Sequence, residues 1–271
     1  MCSKATLLPS VDSAVRTKRL AVMQPYFFPY LGYFQLFHAA DKVILYDCVN
    51  YIKSGWINRN RILEINKGPR FITLPLMQGS SNKKIRDMRI DRTKDWKTPI
   101  MHLLRHNYCH SPYFVEVMEL VDSVLDSRQL SVASIAKASV QAVLTYLELG
   151  TSVEYDSTRW DSLEDDLEML SESLSPSMPH QRLKRQRMAQ RVESICRIEE
   201  ADTYINPIGG VSLYDKDEFA VWGICLCFLK SIQKKYQQES SEFVPDLSII
   251  DALMNIGPKD TRELLGSYVL I

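Results

Sequence analysis

The chain has 271 residues, 45% of them hydrophobic and 24% charged, which is typical of a globular protein with one large or two small domains. Its 33 basic residues balance 33 acidic residues, so nothing supports bulk binding to nucleic acid or to an anionic membrane. No apolar run approaches the roughly 20 residues of a membrane span. Six cysteines without a C-x-x-C pattern, and no secretory signal in residues 1–18, predict a reduced, cytoplasmic protein.

The first predicted elements form a βαβ unit. After a loose tail over residues 1–18, residues 19–24 are predicted as a buried strand, 25–31 as a proline-stiffened loop and 32–40 as a helix. The apolar run 42–46 predicts a second strand. Two strands joined by one helix pair in parallel, so the sequence predicts an α/β fold with a Rossmann-like parallel sheet.

The rest of the chain predicts further strands at 71–76, 85–90, 151–155 and 202–205, and helices over 96–146 with breaks near 111 and 126. A helix over 190–199 and a closing helix over 246–253 complete a C-terminal part with helical character. Residues 19–155 are therefore predicted as the core, and 189–271 as a part that completes the same site. Residues 156–188 are predicted as an exposed acidic and basic insertion, with phosphate binding by the basic run as the alternative to solvated surface.

The loop over residues 24–33 is the first candidate binding segment. It leaves the carboxyl end of a predicted parallel strand and enters a helix, which is where ligands bind in open α/β sheets. Gln24 is a candidate hydrogen-bonding residue and Tyr26 a candidate stacking residue. The structural alternative is an aromatic plug that caps the core.

The loop over residues 46–61 is the second candidate segment. Asp47 is a candidate general base, with a structural pairing to Arg59 or Lys53 as the alternative, and Lys53 is a candidate for stabilising negative charge. Cys48 is an alternative nucleophile, although no histidine lies near it in the sequence. The candidate substrate-binding side chains of this loop are Tyr51, Trp56, Asn58, Arg59 and Asn60, which offer aromatic walls, amides and a guanidinium.

A glycine pair after the strand at 202–205 forms the third candidate segment. Backbone amides of such a loop can bind an anion. Its candidate binding residues are Asn206, Gly209, Gly210 and Tyr214. No metal site is predicted: His102, His106, Cys109 and His110 share a helical spacing, but the Ser-Pro pair after them predicts a helix end that separates the last two.

Four long motifs resemble the WbqC-like family. They are Q-P-Y-x-x-P-x-x-G-Y-F from residue 24, K-x-x-W-x-N-R-N from 53, Y-I-N-P-I-G-G-x-x-L-Y from 204 and P-D-L-S-I-I-D from 245. The family is associated with gene clusters for O-antigen and other surface polysaccharides. The resemblance therefore implies a transferase that modifies a nucleotide-activated amino sugar, with glycyl or other acyl transfer as the suggested reaction. It assigns no catalytic residue.

Two alternatives to the sugar transferase stay open. The start of the chain also resembles nucleotidyltransferases and pantothenate synthetases, but Tyr30-Leu31-Gly32-Tyr33 replaces their H-x-G-H motif. That resemblance implies a degenerate enzyme that binds a nucleotide with Mg²⁺ or an acyl-adenylate. A non-catalytic scaffold is the other alternative, and a homodimer is an assembly that the sequence leaves open.

Overall fold

The computed structural model describes residues 17–126, 129–174, 179–240 and 242–271, so the predicted tail lies almost wholly outside the described residues. The strands are β1 (Arg19–Met23), β2 (Lys42–Leu45), β3 (Arg59–Glu64), β4 (Gly68–Thr73), β5 (Ser152–Glu154), β6 (Thr203–Pro207), β7 (Cys225–Ser231) and β8 (Tyr268–Leu270). The helices are α1 (Leu31–Ala39), α2 (Lys97–Tyr108), α3 (Phe114–Leu125), α4 (Val132–Tyr146), α5 (Asp161–Leu174), α6 (His180–Ile198), α7 (Lys216–Val221) and α8 (Ile249–Leu265).

Six strands form one sheet in the order β5-β2-β1-β6-β7-β8. The first five are parallel, and β8 pairs antiparallel with β7 at the edge. Numbered along the chain, these six strands have the order 3-2-1-4-5-6, which is that of doubly wound α/β proteins. The predicted α/β fold with a Rossmann-like parallel sheet is confirmed, and the order reverses between β1 and β6.

Alternate residues of each strand pack into two different cores. Ala21, Val43 and Ile205 belong to a first core shared with α1, α4 and α8. Leu20 and Ile44 belong to a second core shared with α6 and α7. Side chains alternate between the two faces of a strand, so each face of the sheet packs against helices. The loops lie at the ends of the strands.

Residues 59–64 form a strand that the sequence reasoning missed. β3 pairs with β4 as a separate antiparallel hairpin. The predicted strand at 71–76 overlaps β4 only over residues 71–73. Asn60 points inward and is buried, whereas Arg61 on the opposite face is only half-buried. A buried amide at an inward-facing position breaks the usual alternation of apolar and polar residues. The sequence pattern therefore predicted a polar loop here instead of a strand.

The predicted strand at 85–90 is wrong. Residues Ile85–Asp87 form a 3-10 turn, followed by isolated bridges from Arg89 to Ser131 and from Ile90 to Leu76. The apolar residues of this segment are buried although the chain is not a regular strand. The alternation of apolar and charged residues therefore correctly indicated which side chains are buried, but it did not indicate a regular strand.

The predicted insertion forms two helices where the structure describes it. α5 and α6 pack together, and their inner faces bury Leu167, Leu183 and Val192. The serine- and proline-rich residues 175–178 lie outside the described residues. The predicted helical breaks near 111 and 126 are confirmed as the ends of α2 and α3. None of the described helices has both the length and the apolarity that a bilayer crossing requires.

Candidate functional site

A cleft of about 580 Å³ lies at the carboxyl ends of the parallel strands. Gln24 enters it directly after β1, residues 48–52 after β2, and Leu213 from the chain that follows β6. The remaining wall comes from α5, α6 and Lys84. In doubly wound sheets the ligand crevice opens where the strand order reverses, which here is between β1 and β6. The cleft therefore occupies the position that the fold predicts for a ligand.

The α5–α6 wall contains a buried ionic cluster centred on Glu164. The Glu164 carboxylate accepts hydrogen bonds from Tyr46 Oη at 2.6 Å, from Arg191 Nη2 at 2.7 Å and from Arg187 Nη2 at 3.4 Å. Burial raises the pKa of Glu164, but the hydrogen bonds and charge of Arg191 outweigh burial and lower it. Glu164 is therefore ionised, and it fixes both guanidinium groups at the cleft.

Three of the cations that line the cleft keep part of their side chains exposed. Arg187 Nε is buried without a hydrogen-bond partner among the described residues, and its side chain is 27% exposed. Lys184 is exposed and has no ion pair within the described part of the chain. Lys84 Nζ lies 3.7 Å from Asp161. Backbone hydrogen bonds from the chain around Lys84 to residues 47–51 hold this lysine beside the loop that follows β2.

The opposite wall is polar and partly apolar. Gln24 is half-buried and Asn50 is exposed, so both side-chain amides can reach a ligand. Tyr51 is buried and donates its hydroxyl to Asn58 Oδ1 at 2.8 Å. Val49, Ile52 and Leu213 supply apolar contact area here, and Met188 supplies it on α6. The cleft thus combines positive charge with amides and apolar area suited to rings and hydroxyl groups.

The proline- and aromatic-rich loop after β1 is held rigidly beneath the cleft. Asn60 Nδ2 donates to the carbonyl of Phe28 at 2.8 Å, and Ser248 Oγ donates to the same carbonyl at 2.7 Å. The rings of Phe27 and Phe28 are fully buried. Asn60, predicted as a binding residue, therefore fixes this loop instead of lining the cleft.

Tyr26 also packs into the core side of this loop. Its ring lies 5.4 Å from that of Tyr33, and burial raises the pKa of its hydroxyl. Tyr33 donates its own hydroxyl to the carbonyl of Gln24 at 2.9 Å. Of the residues predicted in this segment, only Gln24 lines the cleft, while the aromatic rings form the plug that the structural alternative described.

Asp47 and Lys53, the candidate catalytic residues, are both absent from the cleft lining. The Asp47 carboxylate is 3% exposed, lies 2.6 Å from Lys137 Nζ and accepts a hydrogen bond from Ser157. Lys53 is exposed on the turn beyond the cleft. The structural alternative for Asp47 in the sequence analysis was a pairing with Arg59 or Lys53; the structure pairs it with Lys137.

The loop over residues 46–61 is held to the β3–β4 hairpin by the side chains of Trp56, Asn58 and Arg59. Arg59 donates to the carbonyls of Ser54 and Gly55, and its guanidinium lies 4.5 Å from the ring centre of Phe71. Trp56 is 39% exposed and packs at 6.1 Å from the same ring. Asn58 Nδ2 donates to the carbonyl of Leu74 at 2.9 Å. These side chains shape the loop, and Tyr51 is the residue of the predicted set that reaches the cleft.

The glycine loop after β6 is close-packed against its own strand. Asn206 accepts a hydrogen bond from Tyr204 and donates to the carbonyl of Pro207, each at 3.0 Å. A Cβ on Gly210 would lie 1.8 Å from Asn206 Nδ2, whereas Gly209 has open space around it. Tyr214 packs against Tyr204 in the second core. The loop therefore contributes Leu213 to the cleft, and none of its four predicted residues lines it.

Sequence analysis gave phosphate binding by the basic run of α6 only as the alternative to solvated surface, and it named no residue of α5 as a binding residue. Lys184, Arg187 and Arg191 are spaced at intervals of three and four residues, the spacing of one helical face. That spacing was the available signal. Cys48, the alternative nucleophile, lines the cleft, but burial raises the pKa of its thiol to about 11 and so disfavours the thiolate. Within the described residues, no three His, Cys, Asp or Glu side chains lie close enough to share a metal ion.

These features define a doubly wound α/β protein with an open, charged cleft at the carboxyl edge of its sheet. The model of the WbqC-like protein family matches residues 24–263, and the chain belongs to that family. An uncharacterized protein of Mycobacterium tuberculosis (strain ATCC 25618 / H37Rv), Rv1507c, is 28% identical over 244 residues, covering 89% of this chain and 94% of that protein. A comparison with the solved structures found no match.

Proposed function

We propose that this protein is a cytoplasmic transferase that modifies a nucleotide-activated amino sugar for a surface polysaccharide, by transfer of a glycyl or other acyl group. The observation that carries the proposal is the presence of several cations, side-chain amides and apolar area in one cleft. A nucleotide-linked sugar carries a diphosphate together with a base and a hydroxyl-rich ring. Its charge pattern therefore complements that of the cleft.

The diphosphate binds Arg187, Lys184 and Lys84 in this proposal. A guanidinium suits phosphate because its planar donors match two oxygens at once, and the lysines add mobile positive charge. Gln24 and Asn50 hydrogen-bond the sugar or the base. The volume of about 580 Å³ falls within the range of small-molecule sites, roughly 300–1,000 Å³.

Glu168 is the carboxylate that we assign as general base. In acyl transfer the sugar amine attacks the acyl carbonyl carbon, the leaving group departs with its bonding electrons, and the nitrogen loses a proton. Glu168 lines the cleft with a side chain that is 63% exposed, and Arg187 Nη2 lies 3.9 Å from its Oε2. Glu164 does not serve this purpose because its oxygens are already occupied by Arg191, Arg187 and Tyr46.

A nucleotide- or acyl-adenylate-binding enzyme is the second candidate, favoured by the order of the sheet strands. The same doubly wound order occurs in proteins that bind nucleotides at the switch point. This enzyme would use a nucleoside triphosphate with Mg²⁺. At the start of α1, however, Tyr30 and Tyr33 stand where nucleotidyltransferases have histidines, and Tyr33 is buried. Phosphate contacts would then come from α6.

Ligand-induced thermal stabilisation tests both candidates. Nucleotide-linked amino sugars, the matching free nucleotides and triphosphates with Mg²⁺ are added to the full chain, and the rise in Tm is measured. We expect the nucleotide-sugar to raise the Tm most. Lys184→Ala and Arg187→Ala should weaken binding about tenfold. Arg182→Ala removes an exposed charge on the same helix outside the cleft and should leave the affinity unchanged.

The outcomes separate the candidates. Stabilisation by triphosphate and Mg²⁺ alone would favour the nucleotide-binding enzyme, and no stabilisation by any of these ligands would leave only the scaffold. For the transferase, Glu168→Gln should preserve affinity for the nucleotide-sugar and lower kcat about a hundredfold. Unchanged kcat in this variant would remove Glu168 from the mechanism.

A further inference from the structure

The hairpin of β3 and β4 leaves one edge of β4 without a partner strand. The two strands form a sheet of their own, and just beyond β4 the N–H of Leu74 donates to the carbonyl of Asn58 at 2.8 Å. In an antiparallel pair, every second residue counted back from Leu74 hydrogen-bonds β3 in the same way. Phe71 and Thr73 lie between these positions, so their N–H and C=O groups point away from β3. Within the described part of the chain, neither N–H has a hydrogen-bond partner.

Two neighbouring contacts support this assignment of the free edge. On β3, the N–H of Leu63 points away from β4 and donates to Tyr108 Oη at 3.1 Å, as the same register requires. On the side of the free edge, the carbonyl of Pro75 accepts from the N–H of Asp91 at 2.9 Å, so the chain itself already pairs with the continuation of this edge. The section without a partner is residues 69–73, about 16 Å of extended chain.

A cleft of about 560 Å³ lies between β4 and α2, on the inward face of the hairpin. Ile72 lies opposite the inward-pointing Asn60 and, like Arg70, lines this cleft. Trp96 and Leu103 supply apolar area on the side of α2. None of the lining residues belongs to the cleft at the carboxyl ends of the parallel strands. A strand added beside β4 would direct alternate side chains to the inward face, and so into this second cleft.

The charges of the second cleft favour an acidic ligand. Both carboxylates of its lining are engaged within the protein: Glu64 accepts hydrogen bonds from Arg70 at 2.9 and 3.0 Å, and Asp95 accepts a backbone N–H at the start of α2 at 3.1 Å. The cations are more open to solvent. Arg70 is 54% exposed, and Lys94 is 69% exposed with Asp91 at 3.4 Å. A carboxylate of a ligand therefore finds charged donors here.

We propose that β4 and the second cleft bind an extended, acidic peptide segment of a partner protein by strand addition. The peptide backbone pairs with the free groups of Phe71 and Thr73. Its inward side chains enter the cleft, where apolar residues contact Trp96 and Leu103 and a carboxylate binds Lys94. Its outward side chains pack beside the Phe71 ring, which is 45% exposed. In this mode of recognition the main-chain hydrogen bonds give affinity and the alternate side chains give specificity.

Peptide selection followed by affinity measurement tests the proposal. A displayed library of random peptides of about eight residues, enough to cover the free edge, is selected on the full-length protein. We expect enriched peptides with acidic residues, and their Kd is measured by fluorescence anisotropy. Thr73→Pro should weaken binding about tenfold because it removes a donor that pairs with nothing in the protein. Thr73→Val keeps this N–H and is the matched control.

Charge reversal tests the acidic preference. Lys94→Glu should weaken binding about tenfold, whereas Lys259→Glu, which changes an exposed lysine of α8 outside this cleft, should leave the Kd unchanged. Circular dichroism establishes that the variants are folded. The proposal is overturned if no peptide is enriched, or if Thr73→Pro and Lys94→Glu both bind as the wild type does.

Backbone methylation of a selected peptide makes the test independent of changes to the protein. Two versions carry N-methyl groups on alternate residues, one on the odd and one on the even positions. Only one of these sets faces β4 in strand addition, so one version should lose at least about tenfold in affinity and the other should bind normally. Equal affinities of the two versions would exclude strand addition. A dimer of the protein alone that Thr73→Pro converts to a monomer would assign the edge to a second copy and overturn the proposed partner.

Discussion

Buried carboxylates in this chain differ in the charge of their partners. Asp47 is 3% exposed, Glu164 4% and Asp251 0%. Asp47 pairs with Lys137 and Glu164 with Arg191, while Asp251 is hydrogen-bonded by uncharged side chains. An ionised group away from water needs compensation, so its partner decides whether it stabilises the fold. Each partner lies far along the chain and could not be identified from sequence spacing.

Asp47→Asn should lower stability. The substitution leaves the Lys137 ammonium, 16% exposed, without its counter-charge at 2.6 Å. We expect a loss of about 2–3 kcal/mol in the free energy of unfolding, measured by urea denaturation. Asp87→Asn, at a nearby exposed position, should be neutral. Unchanged stability together with lost turnover would instead return Asp47 to the chemistry.

Gly210→Ala tests the close packing of the loop after β6. The new Cβ would lie 1.8 Å from Asn206 Nδ2, so the amide must leave its hydrogen bonds with Tyr204 and Pro207. We expect destabilisation of about 1–3 kcal/mol and a lower Tm. Gly209→Ala, with no atom within 4 Å of its Cβ, should cost less than about 0.5 kcal/mol. Equal Tm values for the two variants would contradict this packing argument.

Helices and strands were predictable where the apolar residues follow the spacing of a single buried face or of a strand that is buried on both faces. The run at 42–46 is apolar because both faces of β2 are covered, and the period of α2 to α4 follows from one buried face each. β3 was missed because its inward-facing Asn60 satisfies the backbone of a distant loop. α5 and the start of α6 were missed because their inner faces contain an ionic cluster, so charge hid the helical period.

Glu164→Gln should weaken the association of α5 with α6. Arg191 would keep one neutral partner in place of a carboxylate, at a cost of about 3 kcal/mol. The pKa of Glu164 is lowered in the folded state, so its stabilisation is present above its ordinary value of 4.5 and is lost as pH falls through the folded value. The stability difference between wild type and variant should therefore shrink on acidification. Asp165→Asn, on the exposed side of α5, is the control.

At the scale of the whole molecule, the prediction of parallel strands gave the position of the cleft but not most of the residues that line it. Chains that leave β1, β2 and β6 must meet at one edge, and Gln24, Tyr51 and Leu213 line the cleft there. The motif residues behind these loops, including Asn58 and Asn60, form hydrogen bonds that fix the backbone of neighbouring segments. Lys184, Arg187 and Arg191 of the cleft come from α6, whose position follows from packing on the second core. Sequence spacing alone does not contain that packing.

Asp251 joins three parts of the molecule, and its titration should affect stability in the sense opposite to Glu164. Its carboxylate accepts hydrogen bonds from Tyr108 of α2 at 2.9 Å, and from Tyr236 and Gln238 of the chain before α8 at 2.7 and 2.8 Å. Burial raises its pKa above the ordinary 3.8, because these hydrogen bonds offset only part of the desolvation. The folded state therefore holds this proton more tightly than the unfolded chain.

The stability of the wild type relative to Asp251→Asn should consequently increase as pH falls from 7 through the raised folded value toward 3.8. Asparagine does not titrate, so the difference between the two free energies of unfolding isolates Asp251 from every other acid. Urea denaturation of both proteins across this range measures it. Asp246→Asn, at an exposed position in the same segment, is the control for removing a carboxylate near Asp251. A difference for Asp251→Asn that is constant, or that shrinks on acidification, would mean that the carboxylate is not penalised by burial.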